Sequence, residues 1–133
     1  MFLDTSFIVD LIRESKIKTR GPALGKLQEL GSTKLYLPIF VLCELRAGVE
    51  SSKSPSEELK KLENITEFMQ VVCPQSGFAV IYGETFSKLK KQGITIPLMD
   101  LLIGVLVKCE GYPLLTRDSR HFSLIPGLVI ETY

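Results

Sequence analysis

The sequence holds a single histidine, His121, so acid–base chemistry that needs a histidine pair is excluded. It has no G-x-S-x-G turn to raise a serine nucleophile, and no glycine-rich loop of the Walker type to cradle phosphates. Its three cysteines, Cys43, Cys73 and Cys109, are far apart, odd in number and outside any C-x-x-C pair. That pattern argues against a disulfide framework and a zinc ribbon, and it predicts buried, reduced thiols in a cytoplasmic protein. Strong charge of either sign is also missing: the formal net charge is +1, so any surface for a polyanion must be a local patch. No apolar run is long enough to span a bilayer, and the opening Met1-Phe2-Leu3-Asp4 shows no basic region of the kind a signal peptide carries. Repeats, low-complexity tracts and linkers are absent.

What remains is an ordinary globular balance, nearly half apolar and a quarter charged, in 133 residues. This length predicts one compact domain over residues 1–133, able to bury its own core. Phe2-Leu3 reads as a short strand, followed by a helix through Phe7, Ile8, Leu11 and Ile12. Pro22 to Leu30 repeats leucine at helical spacing and stops at Gly31. Lys34 to Leu37 reads as a strand, and Pro38 opens a helix over Ile39 to Val49. Ser54-Pro55-Ser56-Glu57 predicts a capping box at the head of a further helix. Val71 to Cys73 reads as a strand, and residues 76–91 as a helix ending in lysines before Gly93. Leu98 to Glu110 is apolar almost all round and predicts a buried central helix. Leu114-Leu115 and Leu128 to Ile130 are late strands. Strands separated by helices imply α/β layers around a mainly parallel sheet, whose ligands bind at the carboxyl ends of the strands. Asp4 and Asp118 each follow a strand and fall on that edge.

The acids stand in unusual places. Of only four aspartates, three adjoin apolar runs. Asp100 lies between Ile96-Pro97-Leu98-Met99 and Leu101-Leu102-Ile103, and Glu44 interrupts Ile39 to Leu45. A lone buried charge costs several kcal/mol or takes up a proton, and carboxylates gathered together repel further unless a cation neutralises them. Oxygen-only ligands favour Mg²⁺ or Mn²⁺, so the pattern predicts a divalent-metal site. Each acid also has a plainer role open to it. Asp4 can cap a helix through the backbone N–H of Phe7, Asp100 can complement a helix dipole, Asp118 can serve a turn, and Glu44 can reach solvent. Asp10 and Glu14 read as a solvated helix face.

Four segments together resemble the PIN domains, and more narrowly the VapC-type toxins of toxin–antitoxin pairs. They are Leu3-Asp4-Thr5-Ser6-Phe7-Ile8-Val9-Asp10-Leu11, Glu44-Leu45 on a helix after Pro38, Asp100-Leu101-Leu102-Ile103, and Leu115-Thr116-Arg117-Asp118-Ser119-Arg120-His121-Phe122. The ending Ile125-Pro126-Gly127-Leu128 is similar too. The resemblance implies a three-layer α/β/α sandwich and an endoribonuclease that uses Mg²⁺ or Mn²⁺. It further implies a homodimer held in check by a small cognate antitoxin. By position it assigns Asp4, Glu44, Asp100 and Asp118 to the catalytic, metal-holding cluster, with the hydroxyls of Thr5, Ser6 and Thr116 orienting them. Arg117, Arg120 and His121 lie beside the cluster, either as phosphate contacts or in surface and packing roles. Cys43 and Gly104 depart from the small alanines common at those positions, and neither removes an acid.

Two other readings compete. A phosphatase of the haloacid-dehalogenase type also places an acid after the first strand, but it wants a second aspartate where Ser6 stands, and a receiver domain lacks its early acidic pair here. A PIN-like fold used only to hold a partner is the other alternative.

Overall fold

The computed structural model describes residues 1–17 and 20–133. Its elements run β1 (Phe2–Leu3), α1 (Thr5–Ile17), α2 (Pro22–Leu30), β2 (Tyr36–Pro38), α3 (Ile39–Glu50), α4 (Pro55–Thr66), β3 (Gln70–Val72), α5 (Phe78–Lys91), α6 (Leu98–Glu110), β4 (Leu114–Leu115) and β5 (Ile130–Glu131), with a 3-10 turn at Phe122–Leu124. The sheet order is β3-β2-β1-β4-β5, and every neighbouring pair is parallel. This is the expected three-layer α/β/α sandwich, with six helices among the described residues flanking one parallel sheet.

Parallel strands covered on both faces must be apolar, and the central β1, β2 and β4 are, while the edge strands β3 and β5 carry Gln70 and Glu131. Phe2, Leu3, Leu37, Leu114 and Leu115 are sealed from solvent, with Phe7, Ile8 and Val41 of the flanking helices packed in the same core. Helix α6 is the buried element its composition predicts, with Leu101, Ile103, Val105, Leu106 and Val107 all inside. Gly104 lets it approach the segment after β4, because a Cβ there would sit 2.3 Å from Ile125 Cδ1 and 3.3 Å from Leu128 Cδ2. Gly111, at φ 72°, adopts the left-handed turn that closes this helix.

The chain builds β1, β2 and β3 outward in one direction, then returns to lay β4 against the other side of β1. That reversal opens a crevice at the carboxyl ends of β1 and β4, the place where open parallel sheets bind ligands. Asp4 and Asp118 leave the two strands that bound it.

Several local expectations need correction. Ser54 heads α4, but its side chain makes no capping bond; the backbone N–H groups of Glu57 and Glu58 go to the Ser54 carbonyl. Cys43 and Cys73 are exposed rather than buried, while Cys109 is half-buried, and all three are free thiols. Burial pushes the Cys109 thiol up from its ordinary value. Glu14 does not face solvent as a bare charge: its two carboxylate oxygens accept the backbone N–H groups of Ala23 and Leu24 at 3.1 and 2.8 Å. It therefore caps α2 from α1, satisfying donors that no residue of α2 can reach. Among the described residues, no helix is long and apolar enough to cross a membrane.

Candidate active site

Asp4 is the first residue beyond β1, and its backbone N–H donates to Leu115 O of β4 at 3.0 Å, which locks it into the crevice. Its side chain is 7% exposed. The hydroxyls of Ser6 and Thr116 each donate to Asp4 Oδ2 at 2.7 Å, and the Ser6 N–H approaches the same oxygen at 3.4 Å. The expected side-chain cap to the Phe7 N–H is not made, since that N–H goes to the Asp4 carbonyl oxygen, and the long Ser6 contact is the side chain's one capping bond among the described residues. Asp4 Oδ1 has no protein partner among the described residues.

Glu44 lies in the middle of α3 and accepts a hydrogen bond from the Thr5 hydroxyl at Oε2. Asp100 sits in the first turn of α6, where Asp100 Oδ2 is 2.6 Å from His121 Nδ1. A carboxylate oxygen accepts, so Nδ1 carries the hydrogen. In both acids the second oxygen has no protein partner among the described residues. Burial pushes the Glu44 carboxyl above its ordinary value, the Thr5 hydrogen bond opposes this, and the charges of Asp4 and Asp100 push it further up. These three acids share one electrostatic neighbourhood, and no lysine or arginine is paired with any of them among the described residues.

The fourth acid behaves differently. Asp118 stands on the same edge, but its side chain is 46% exposed and Arg120 grips both its oxygens, with Nε 2.9 Å from Oδ1. The Arg120 side-chain hydrogen bonds, then its backbone N–H, hold the Asp118 carboxyl well below the usual carboxylate range. The structure thus brings Asp4, Glu44 and Asp100 together and turns Asp118 to an arginine. Arg120 is engaged with Asp118 rather than free for phosphate. Arg117 is likewise engaged: its guanidinium reaches Asp10 at 2.8 and 2.7 Å. His121, one of the phosphate candidates, stands against Asp100 instead. Sequence reading missed Asp10 and Tyr133, whose hydroxyl donates to Asp10 at 2.9 Å; partners 107 and 123 residues away leave no local signal.

Among the described residues, no three acidic, histidine or cysteine side chains form a ready-made metal cage. The donor chemistry nonetheless fits a hard divalent cation: three carboxylates on one edge, each with one oxygen held by a protein donor and the other open. A groove of about 270 Å³ opens beside Glu44 between α1, α3 and α4, walled by Val9, Leu45 and Val49 with Lys16 at its rim.

A parallel sheet with this strand order, with acids near its switch point, defines a class of three-layer α/β domains, and comparison with known proteins narrows it. The PIN domain family model matches residues 1–128, and the chain belongs to that family. It is 28% identical to Ribonuclease VapC of Rickettsia bellii, over 99% of this chain and 95% of that protein. It is 30% identical to Ribonuclease VapC2 of Rickettsia felis, over 71% of this chain and 70% of that protein. The tRNA(fMet)-specific endonuclease VapC of Salmonella typhimurium is 24% identical, over 88% of this chain and 89% of that protein. Among solved structures, a chain of VapBC2 from Rickettsia felis, crystallised bound to a DNA fragment from its promoter, superposes with a TM-score of 0.90. That match has 26% identity and covers 99% of this chain and 97% of the other.

Proposed function

We propose that this protein is a metal-dependent endoribonuclease, the toxin of a toxin–antitoxin pair, working in the cytoplasm. One observation carries the chemistry. Asp4, Glu44 and Asp100 each keep one carboxylate oxygen without a protein partner among the described residues, and the charges of Asp4 and Asp100 help burial to make Glu44 resist ionisation. Mg²⁺ or Mn²⁺ is the group that answers such a set, with Asp4, Glu44 and Asp100 as direct holders and Asp118 at the rim. Bound there, it would supply the Lewis acid that polarises a phosphodiester and lowers the pKa of an attacking water.

The chain's own side chains prepare that step. Ser6 and Thr116 hold Asp4 by one oxygen, Thr5 holds Glu44, and His121 holds Asp100, so each carboxylate keeps its orientation before substrate arrives. The relatives' names support RNA as substrate, and the VapBC complexes among the structural neighbours support an antitoxin as partner. The haloacid-dehalogenase reading is disfavoured by Ser6, which stands where that chemistry needs an acid and here donates to Asp4.

A homodimer is part of the same reading. A ladder of rings runs from Phe40 through Phe78 and Tyr82 to the exposed Phe86, and Val80 and Leu98 are further exposed apolar side chains. Sedimentation should give twice the chain mass, and Phe86→Asp should give the single chain.

The activity is tested by incubating purified protein with total cellular RNA, with Mg²⁺ or Mn²⁺ and with EDTA, beside Asp100→Asn. Discrete fragments that need metal and vanish in the variant are expected. Folded protein that cuts no RNA under any of these conditions would instead favour a binding role for the fold.

A further inference from the structure

The open oxygen of Asp4 is presented by a device that no part of the acid cluster supplies. Ser6 and Asp10 lie four residues apart on α1 and therefore on one face. Arg117 meets both: its backbone N–H donates to Ser6 Oγ at 3.1 Å, and its guanidinium donates to the two oxygens of Asp10 at 2.8 and 2.7 Å. Tyr133 closes the arrangement from beyond β5. Its hydroxyl donates to Asp10 at 2.9 Å and its ring meets Phe7 edge-on at 4.9 Å. Burial first, then the Asp10 carboxylate, raise the Tyr133 phenol above its ordinary value, so it remains a donor through the neutral range. Arg13, itself exposed, stands 3.7 Å from Asp10 and adds only a long ion pair.

We infer that Asp10, Arg117 and Tyr133 are positioning residues for the reaction, a clasp that pins the loop after β4 to α1 so that Ser6 and Thr116 both hold Asp4 Oδ2 and leave Oδ1 facing the crevice. The inference rests on the reading of Asp4 as a catalytic acid. Its geometry is continuous. Arg117 lies between Thr116, which donates to Asp4, and Asp118, whose N–H donates to Thr116 Oγ1 at 3.2 Å. Releasing Arg117 therefore frees both hydroxyls that orient Asp4. Arg117 thus serves the site through Asp10 and Ser6, and its charge is spent within the chain rather than on substrate.

The test measures RNA cleavage, Mn²⁺ affinity and amide hydrogen exchange for the full chain carrying Tyr133→Phe, Asp10→Asn, the single reversals Asp10→Arg and Arg117→Asp, or the two reversals together as a swap. Tyr133→Phe keeps the ring on Phe7 and so keeps the fold. We expect Asp10→Asn to lower kcat by about tenfold with KM within about twofold, to weaken Mn²⁺ binding to a similar degree, and to speed exchange at the Arg117 amide. Tyr133→Phe should do the same more weakly, and the swap should recover activity lost in either single reversal. Unchanged kcat and Mn²⁺ affinity in Asp10→Asn, in protein that Asp4→Asn inactivates, would overturn the clasp. An Asp4→Asn variant that cleaves normally would instead overturn the reading beneath it.

Discussion

Helix α1 carries two kinds of acid, and the contrast between its head and its body separates chemistry from structure. Asp10 and Glu14 have both carboxylate oxygens occupied, by Arg117 and Tyr133 in one case and by two backbone N–H groups of α2 in the other. Asp4, at the head, has one oxygen held by two hydroxyls and one open. Glu44 and Asp100 share the condition of Asp4, and Asp118 shares that of Asp10. A saturated acid has met its hydrogen-bonding demand within the fold; a half-saturated, half-buried one has demand left for a ligand.

The contrast is broken most severely by removing a charge at the open site. Asp4→Asn or Asp100→Asn should lower RNA cleavage by at least about 10²-fold while the metal-free protein stays folded, as cleavage assays and thermal melts would show. Thr116→Val removes a donor to Asp4 Oδ2 without touching the acids, and cleavage should fall by about 10- to 100-fold. Glu44→Gln sharpens the contrast from the stability side. Glu44 takes up its proton at higher pH when folded than when unfolded, so the folded state binds that proton more tightly. Metal-free stability therefore falls as pH rises from the ordinary glutamate range through the raised folded value. Glu44→Gln should flatten that slope and raise the Tm at neutral pH. On the saturated side the sign reverses: Glu14→Ala should cost about 1 kcal/mol of stability and leave kcat unchanged. Gly21→Ala should cost a similar amount and not add to it, because the new methyl would displace the Glu14 carboxyl, 2.3 Å from that Cβ.

Sequence patterning makes most of the fold legible, and residues show why. Helix α6 runs from Leu98 to Glu110 as expected, since Pro97 and Gly111 mark its ends and most of its apolar residues are buried. Short strands shift by a residue or two: β2 runs to Pro38 and β5 begins at Ile130, because their limits are set by pairing with neighbours. Cys43 and Cys73 misled because an apolar neighbourhood in sequence does not fix which way one helix or edge-strand position faces. Three site acids were readable as charges in apolar runs, and the hydroxyls of Thr5, Ser6 and Thr116 contact them as the family resemblance implied. The partners of Glu14, Asp10 and Asp118 were not readable. Those of Asp10 lie 107 and 123 residues away, and those of Glu14 stand on the next helix, where only the placement of α2 against α1 decides the contact. The third, Arg120 on Asp118, depends on how a loop turns its side chains.

The most direct test of the central claim is titration of the purified protein with Mn²⁺, reading free ion by electron paramagnetic resonance, in the natural chain, Asp4→Asn and Asp10→Ala. Saturable binding that Asp4→Asn abolishes and Asp10→Ala merely weakens is the predicted result. Binding that is indifferent to Asp4, or absent from folded protein, would contradict a metal site built on the half-saturated acids.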